Sequence, residues 1–493
     1  MSAPDSILLN WLLLFPFIAA AVIAVFPRML RFIPAHEREP ALAAPAATGI
    51  TAVGLSLLVC AATGAVISRA KGGYVFVDYL WTPDFFQFRL RLDALGLYAL
   101  IAVMAALTLS ALWAAMAGVR DHVRWAALAA AAGAFTGVIL AADLVLLYIF
   151  WELAALALWA ALAPPPAAGR RFLTWSHTGG LCLLVAFLGV AVVSRDTHIY
   201  TAGAGLLVPP LSSVKWIGLL LAIGLGFRLA LAPVHFWLPG LCHATAGKWN
   251  LALLGTGILV AGYAAARLIF YLLPSYTAAA VAWLPITMGL ATVAYAGARA
   301  LLVDDICAGA SHLLAAVGGQ IALGIGLGMR GRPEGLAGAM ALLAPLAVAA
   351  PLLAAGAGDA ARRWSERPGG FATSPAGVAM IAAAWTLSGL PPLAGFWGQR
   401  AIAAAAWQAG SIGALLGALI APALILAYGV KVAVTGLAGR RRPGAAPRAE
   451  REPEPAWLWW WVIGAAAVSL ALGLSSSAWG AQMLRMARAL VGG

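Results

Sequence analysis

Apolar runs of about 20 residues recur from one end of the chain to the other, divided by short polar or charged stretches. A helix rises about 1.5 Å per residue and the hydrocarbon core of a bilayer is about 30 Å thick, so each run predicts one membrane-spanning helix. The pattern predicts an all-α polytopic membrane protein with about 14 spans. They lie near 7–26, 44–67, 94–116, 125–142, 144–163, 176–194, 216–238, 250–273, 277–298, 306–328, 335–357, 376–398, 410–436 and 456–477. Only Asp143 and its neighbours divide the fourth from the fifth, so the same pattern admits a count differing by one. Two runs are interrupted late in their spans, at Pro233–Gly240 and at Gly389–Gly398. A proline takes away a backbone donor and frees a carbonyl. Inside a bilayer such a broken helix persists only where protein or a water-lined cavity meets the freed groups.

Composition narrows the class. The 493 residues are 63% hydrophobic and 10% charged, against roughly 25% charged in soluble domains, and no stretch is long and polar enough for a soluble domain. The net charge of +13 sits mostly in short loops, which reads as orientation and headgroup contact, not as nucleic-acid binding. Loops after odd-numbered spans carry the larger share of arginine, including Arg120, Arg124, Arg170, Arg171, Arg362, Arg363 and Arg440–Arg442. The positive-inside rule then places those loops in the cytoplasm and both termini on the periplasmic side of a bacterial inner membrane. Ile7–Phe26 reads as the first span, because it is too long for a signal peptide and lacks a basic start. The cysteines Cys60, Cys182, Cys242 and Cys307 are scattered with no CxxC. No metal or cofactor is expected from them. No nucleophile–base pair or phosphate loop is present either. The chain is expected to have no catalytic site of its own and to serve an enzyme at most as a subunit of a translocating complex.

Charges inside spans carry the candidate chemistry. Glu152, in LYIFWELAALALW, is the cleanest buried carboxylate, and Arg228 is the only comparably deep cation in the first half. Ionisable residues at mid-membrane depth mark pathways by default, and the two are expected to pair. The structural alternatives are an arginine that only locks two helices together and a protonated Glu152 bonded to a carbonyl. Arg228 is expected near the middle of a helix starting at about Trp216, five residues before Pro233. Asp93 and Asp143 stand at span ends, where capping competes with proton transfer. His235, His243 and His312 titrate in the right range to shuttle protons, although a lone histidine is more often structural. His243 ranks first for its place beside the first break, with Lys248 in the same polar turn. Gln399 and Arg400 follow the second break. Lys431 is expected to snorkel from near its span end. Paired interruptions in two halves point to an inverted-repeat transporter with a midplane pathway.

These residues resemble the antiporter-like membrane subunits of respiratory complex I, a group that includes Mrp-type cation/proton antiporter, membrane-bound hydrogenase and inorganic-carbon uptake subunits. FRLRLDALGLY resembles the segment with the family's characteristic aspartate, here Asp93. AADLVLLYIFWELAALALW resembles the span with its key glutamate, here Glu152. FRLALAPVHFWLPGLCHATAG and LSGLPPLAGFWGQ resemble its two broken helices, and VDDICAGASHLLAAVGG matches more weakly. The resemblance implies 14 spans and one transmembrane domain over residues 1–493. It divides into N-terminal helices at 7–116, inverted five-helix repeats at 125–273 and 277–436, and a C-terminal helix at 456–477. It also implies a central polar axis that passes protons. Departures stand on that axis. Arg228 replaces the proton-relaying lysine, and a guanidinium stays charged in proteins. Leu253 or Leu259 occupies the next titratable position, and Gln399 the one after the second break.

Three readings follow. The first is a proton-conducting antiporter-like subunit of a larger energy-coupling complex, with protons or sodium as the ion and membrane and cytoplasmic subunits as partners. Its site is Glu152 with Arg228 as gate, and His243, His312, Asp93, Gln399, Arg400 and Lys248 along the pathway. The second is a structural or docking subunit that has lost conduction. The third is the membrane proton channel of an inorganic-carbon uptake complex.

Overall fold

The computed structural model describes residues 3–29, 44–69, 73–79, 87–244, 249–366, 371–438 and 456–492. Among them, thirteen helices are long and apolar enough to cross a membrane. The first six such helices are α1 (Ala3–Met29), α2 (Ala44–Arg69), α3 (Ala94–Met116), α4 (His122–Leu140), α5 (Leu144–Leu162) and α6 (Pro166–Ser194). The first broken helix is α7 (Leu211–Arg228), a short 3-10 turn at Val234–Phe236, and α8 (Trp237–Ala244). Then come α9 (Asn250–Leu272), the stacked pair α10 (Ser275–Val281) and α11 (Trp283–Leu302), and α12 (Ile306–Met329). The pair α13 (Pro333–Ala341) and α14 (Leu343–Glu366) follows. The second broken helix is α15 (Pro375–Ser388) with α16 (Phe396–Gln408). The chain closes with α17 (Ile412–Ala438), α18 (Ala456–Leu474) and α19 (Ser476–Val491). The span expected at 376–398 is thus two short helices, which is why thirteen long ones stand where about 14 runs were read.

Three features depart from the sequence reading. A two-stranded antiparallel hairpin, β1 (Tyr74–Tyr79) with β2 (Phe88–Asp93), pairs Tyr74 with Asp93 and leads straight into α3. The last apolar run ends at Leu474, and α19 turns off as an amphipathic helix with Met483 and Ala487 buried and Arg485 and Arg488 exposed. Its Trp479 stacks on Trp397 at 6.0 Å. Lys431 does not snorkel: its Nζ donates to the carbonyls of Leu301 at 2.8 Å and Val303 at 2.5 Å. It thereby meets acceptors that the end of α11 leaves open.

The core follows from which spans are enclosed. The windows Ala308–Met329 and Pro333–Ala357 are fully buried and Asn250–Leu272 is 89% buried, whereas those at the N-terminus and at Ala456–Leu474 are 33% and 28% buried. Hence α9, α12 and α13–α14 form the centre, and α1, α2, α17 and α18 form the rim. Small residues allow this packing, because hydrophobic burial does not drive helix association in lipid while close backbone approach does.

Both breaks lie against this centre. In the first, Leu231 N–H donates to Gly226 O at 2.9 Å, Ala232 N–H to Thr292 Oγ1 at 2.7 Å, and Trp237 Nε1–H to Phe227 O at 2.9 Å. The protein itself therefore meets the groups that the break frees, as a bilayer requires. The turn runs through Ala230 at φ 54°. In the second, Gly389 takes φ 73°, where a side chain is strained, and a Cβ there would come within 2.7 Å of Gln399 Cγ.

Candidate functional site

Glu152 lies near the middle of the 19-residue α5. Its Oε2 is 2.5 Å from Nδ1 of His177 on α6, with the Glu152 side chain 19% and the His177 side chain 43% exposed. One turn along α6, Gly180 leaves the space that Oε1 fills; a Cβ there would collide with that oxygen. Among the described residues, Oε1 itself is buried without a hydrogen-bond partner.

Arg228 is the last residue of α7, not a mid-helix residue. A cation suits a helix C-terminus, where the dipole is negative. Its Nη2 donates to the carbonyl of Trp151 at 3.1 Å, and its guanidinium carbon lies 5.0 Å from the Trp151 ring. The expected direct Glu152–Arg228 ion pair is therefore replaced: the carboxylate bonds His177, and the guanidinium bonds the residue before Glu152. Trp151 thus stands between the two groups, next to Glu152 in the chain and bonded to Arg228. Among the described residues, Arg228 Nε and Trp151 Nε1 are buried without hydrogen-bond partners, as is Glu152 Oε1.

A second group forms behind the first break. His235 is 2% and His312 5% exposed. The His235 ring packs 4.8 Å from Tyr295 of α11, and Tyr295 lies 6.2 Å from His312 of α12. Among the described residues, both nitrogens of His235 and Nδ1 of His312 lack hydrogen-bond partners. His243 was ranked above these two; its side chain, like Lys248, falls outside the described residues. Leu253 and Leu259 are completely buried on α9, and neither can exchange a proton.

The second break holds no charge at its centre. Gln320 of α12 and Gln399 of α16 bond reciprocally, at 2.7 Å and 2.9 Å, and Gln399 Nε2 also donates to Leu387 O at 3.1 Å. Arg400, the next residue, is exposed and faces away from this pair.

Asp93 belongs to neither group. Its Oδ1 accepts from Gly96 N–H at 2.9 Å, capping α3. Both its oxygens bond Arg267 of α9, at 2.5 Å and 2.7 Å. The Arg267 guanidinium lies between 5.2 and 5.4 Å from the rings of Tyr271, Tyr263 and Tyr200. Burial pushes the Asp93 carboxyl up, but Arg267 outweighs it and holds it below the usual carboxylate range. The pair borders a cavity of about 830 Å³ that Met486 and Leu490 of α19 also line. Asp143 is fully buried and caps α5 through Val145 N–H at 2.9 Å, with its second oxygen bonded to Thr197 at 2.5 Å. Burial raises its carboxyl above the usual range.

Sequence reasoning missed His177, Tyr295, Gln320 and Arg267 as partners. His177 had a visible signal, the polar run Thr-Trp-Ser-His-Thr, but the run was read as the edge of a span starting at 176. The helix instead begins at Pro166, which sets His177 well inside it.

Known proteins resemble this chain in sequence and in fold. The family described as NADH:quinone oxidoreductase/Mrp antiporter, transmembrane region, matches residues 141–311. That range holds Glu152, His177, Arg228 and the first break. NADH-quinone oxidoreductase subunit 14 of Thermus thermophilus is 32% identical over 290 residues, covering 56% of this chain and 63% of its own. NADH-quinone oxidoreductase subunit M of Pseudomonas aeruginosa is 34% identical over 179 residues, 34% of its own length. The match thus spans between about a third and under two thirds of these relatives. In fold the likeness runs the full length. A chain of the Mrp complex from Dietzia sp. superposes with a TM-score of 0.82 at 18% identity, over 100% of this chain and 98% of that one. A chain of respiratory complex I from Thermus thermophilus does so at 0.80 and 21% identity, over 98% and 99%.

Proposed function

We propose that the chain is an antiporter-like, proton-conducting subunit of a larger, energy-coupling membrane complex, a reading that the family match over residues 141–311 supports. Its partners would be other membrane and cytoplasmic subunits. The proposed setting is a bacterial inner membrane with both termini on the periplasmic face, and the two broken helices would belong to two inverted five-helix units. The observation that carries the reading is Glu152. A carboxylate at mid-span bonded to an imidazole stands beside a group with which it can exchange a proton. The imidazolium form of His177 would support the anion, and the guanidinium bonded to the preceding residue adds a fixed positive charge. Arg228 acts as a permanent positive charge that biases Glu152, not as a carrier. His235, Tyr295 and His312 would continue the path behind the first break.

Glu152→Gln removes the titrating group while keeping shape. In proteoliposomes holding the full chain, this variant is expected to lose proton flux by about a hundredfold, and Glu152→Asp is expected to retain part of it. Wild-type flux in the Gln variant would refute conduction through this residue.

A second reading has its own observation. The Gln320–Gln399 pair is neutral and mutually satisfied, as expected of a half that holds the fold without conducting. On that reading the subunit docks its neighbours, and Glu152→Gln would leave both flux and assembly unchanged.

A further inference from the structure

Glu152 needs a partner that can hand it a proton, and two basic groups stand near it. Arg228 cannot serve, because a guanidinium does not deprotonate in proteins. His177 can: an imidazole has two distinct nitrogens, one able to accept a proton while the other donates one. The geometry divides those nitrogens. Nδ1 faces Glu152 Oε2 at 2.5 Å, while Nε2 makes no hydrogen bond among the described residues and is not enclosed. The ring is 43% exposed, on the side of α6 turned away from the bundle. Thr174 and Thr178 are exposed on that same side, and Arg170 and Arg171 are exposed one to two turns nearer the start of the helix. At about 1.5 Å per residue, these arginines lie about 10 Å from His177 along the axis. Arginine, threonine and histidine thus recur along one stripe of a membrane helix whose other outward positions are apolar, such as Leu181, Val185 and Leu188.

We propose that His177 is the proton-transfer partner of Glu152, and that protons reach it laterally, along the outward stripe of α6 from its arginine-bearing end. The inference rests on Glu152 being the conducting carboxylate. In the step itself, neutral His177 with its proton on Nδ1 takes a second proton on Nε2. The imidazolium then gives the Nδ1 proton to Glu152 Oε2, leaving a carboxylic acid and an imidazole protonated on Nε2. Once Glu152 has passed its proton on, water accepts the Nε2 proton and returns one to Nδ1, which restores the starting tautomer. No electron moves and no co-reactant besides water is needed.

The test uses the full chain in proteoliposomes with an imposed pH gradient. His177→Asn keeps a polar side chain of similar reach but cannot titrate. It is expected to lower proton flux by about a hundredfold, and added imidazole is expected to restore part of it, with the restored rate following the basicity of substituted imidazoles. His177→Gln provides a second variant in case the first is poorly folded. Glu152→Gln is measured beside them and is expected to show no rescue by imidazole. If Glu152→Gln loses flux while both His177 variants keep it, His177 is not the partner although Glu152 conducts. If His177 variants lose flux without any imidazole response, the side chain only positions Glu152 and the transfer role is wrong. If Glu152→Gln conducts normally, this inference falls together with the reading it rests on.

Discussion

Gly180 stands one turn from His177, and any Cβ there would occupy the position of Glu152 Oε1. Gly180→Ala should therefore push the carboxylate off its seat while leaving every titratable group in place. Misplacing a reacting group by about 1 Å can cost up to about a hundredfold in rate. The expected outcome is a fall in proton flux of about tenfold or more in proteoliposomes, with unchanged expression and membrane insertion. Unchanged flux would show that the oxygen's position does not matter. At this scale the sequence disclosed Glu152 and Arg228, because a charge within an apolar run stands out by itself. It did not disclose that they lean on His177 and on the Trp151 carbonyl. Which of two nearby groups a side chain reaches depends on helix rotation and on where a helix ends. Arg228 shows this: read as a mid-helix residue, it is in fact the terminal residue of α7.

Among the elements, the breaks were legible because proline and glycine leave a mark that no tertiary contact removes. The contacts that satisfy them were not, since Thr292 and Leu387 lie far away in sequence. The N-terminus of α3 is fixed by another distant contact, Asp93 with Arg267 of α9. Asp93→Asn leaves a buried guanidinium without its counter-charge, and breaking such a pair costs about 3–5 kcal/mol. A matching drop in thermal stability in detergent is expected, with part of it recovered by adding Arg267→Gln. No drop would show that the tyrosine rings alone hold Arg267. The pH dependence follows from the sign of the shift. Arg267 holds the Asp93 carboxyl below its ordinary value of 3.8. Its stabilising contribution is therefore complete at pH values above that ordinary value, and is lost as pH falls through the lower folded-state one. Thermal melts from pH 8 to about 5 should show no change from this group.

For the whole molecule, charge is unevenly shared between the two breaks. Glu152, His177 and Arg228 stand near the first, and a reciprocal amide pair stands at the second. Hydrophobic spacing made the number of spans readable, since span length is set by bilayer thickness. It could not reveal α19, whose amphipathic pattern follows directly on an apolar run, or the hairpin before α3. Replacing both amides at once, as Gln320→Leu with Gln399→Leu, removes two partners together and so leaves neither amide of the pair unsatisfied; such exchanges are nearly neutral in stability. The most direct measurement is proton flux through the full chain in proteoliposomes, comparing this double variant with Glu152→Gln under the same pH gradient. A central role for the first-half carboxylate predicts near-complete loss in Glu152→Gln and near-normal flux in the double leucine variant. Loss in the leucine variant with flux intact in Glu152→Gln would contradict it.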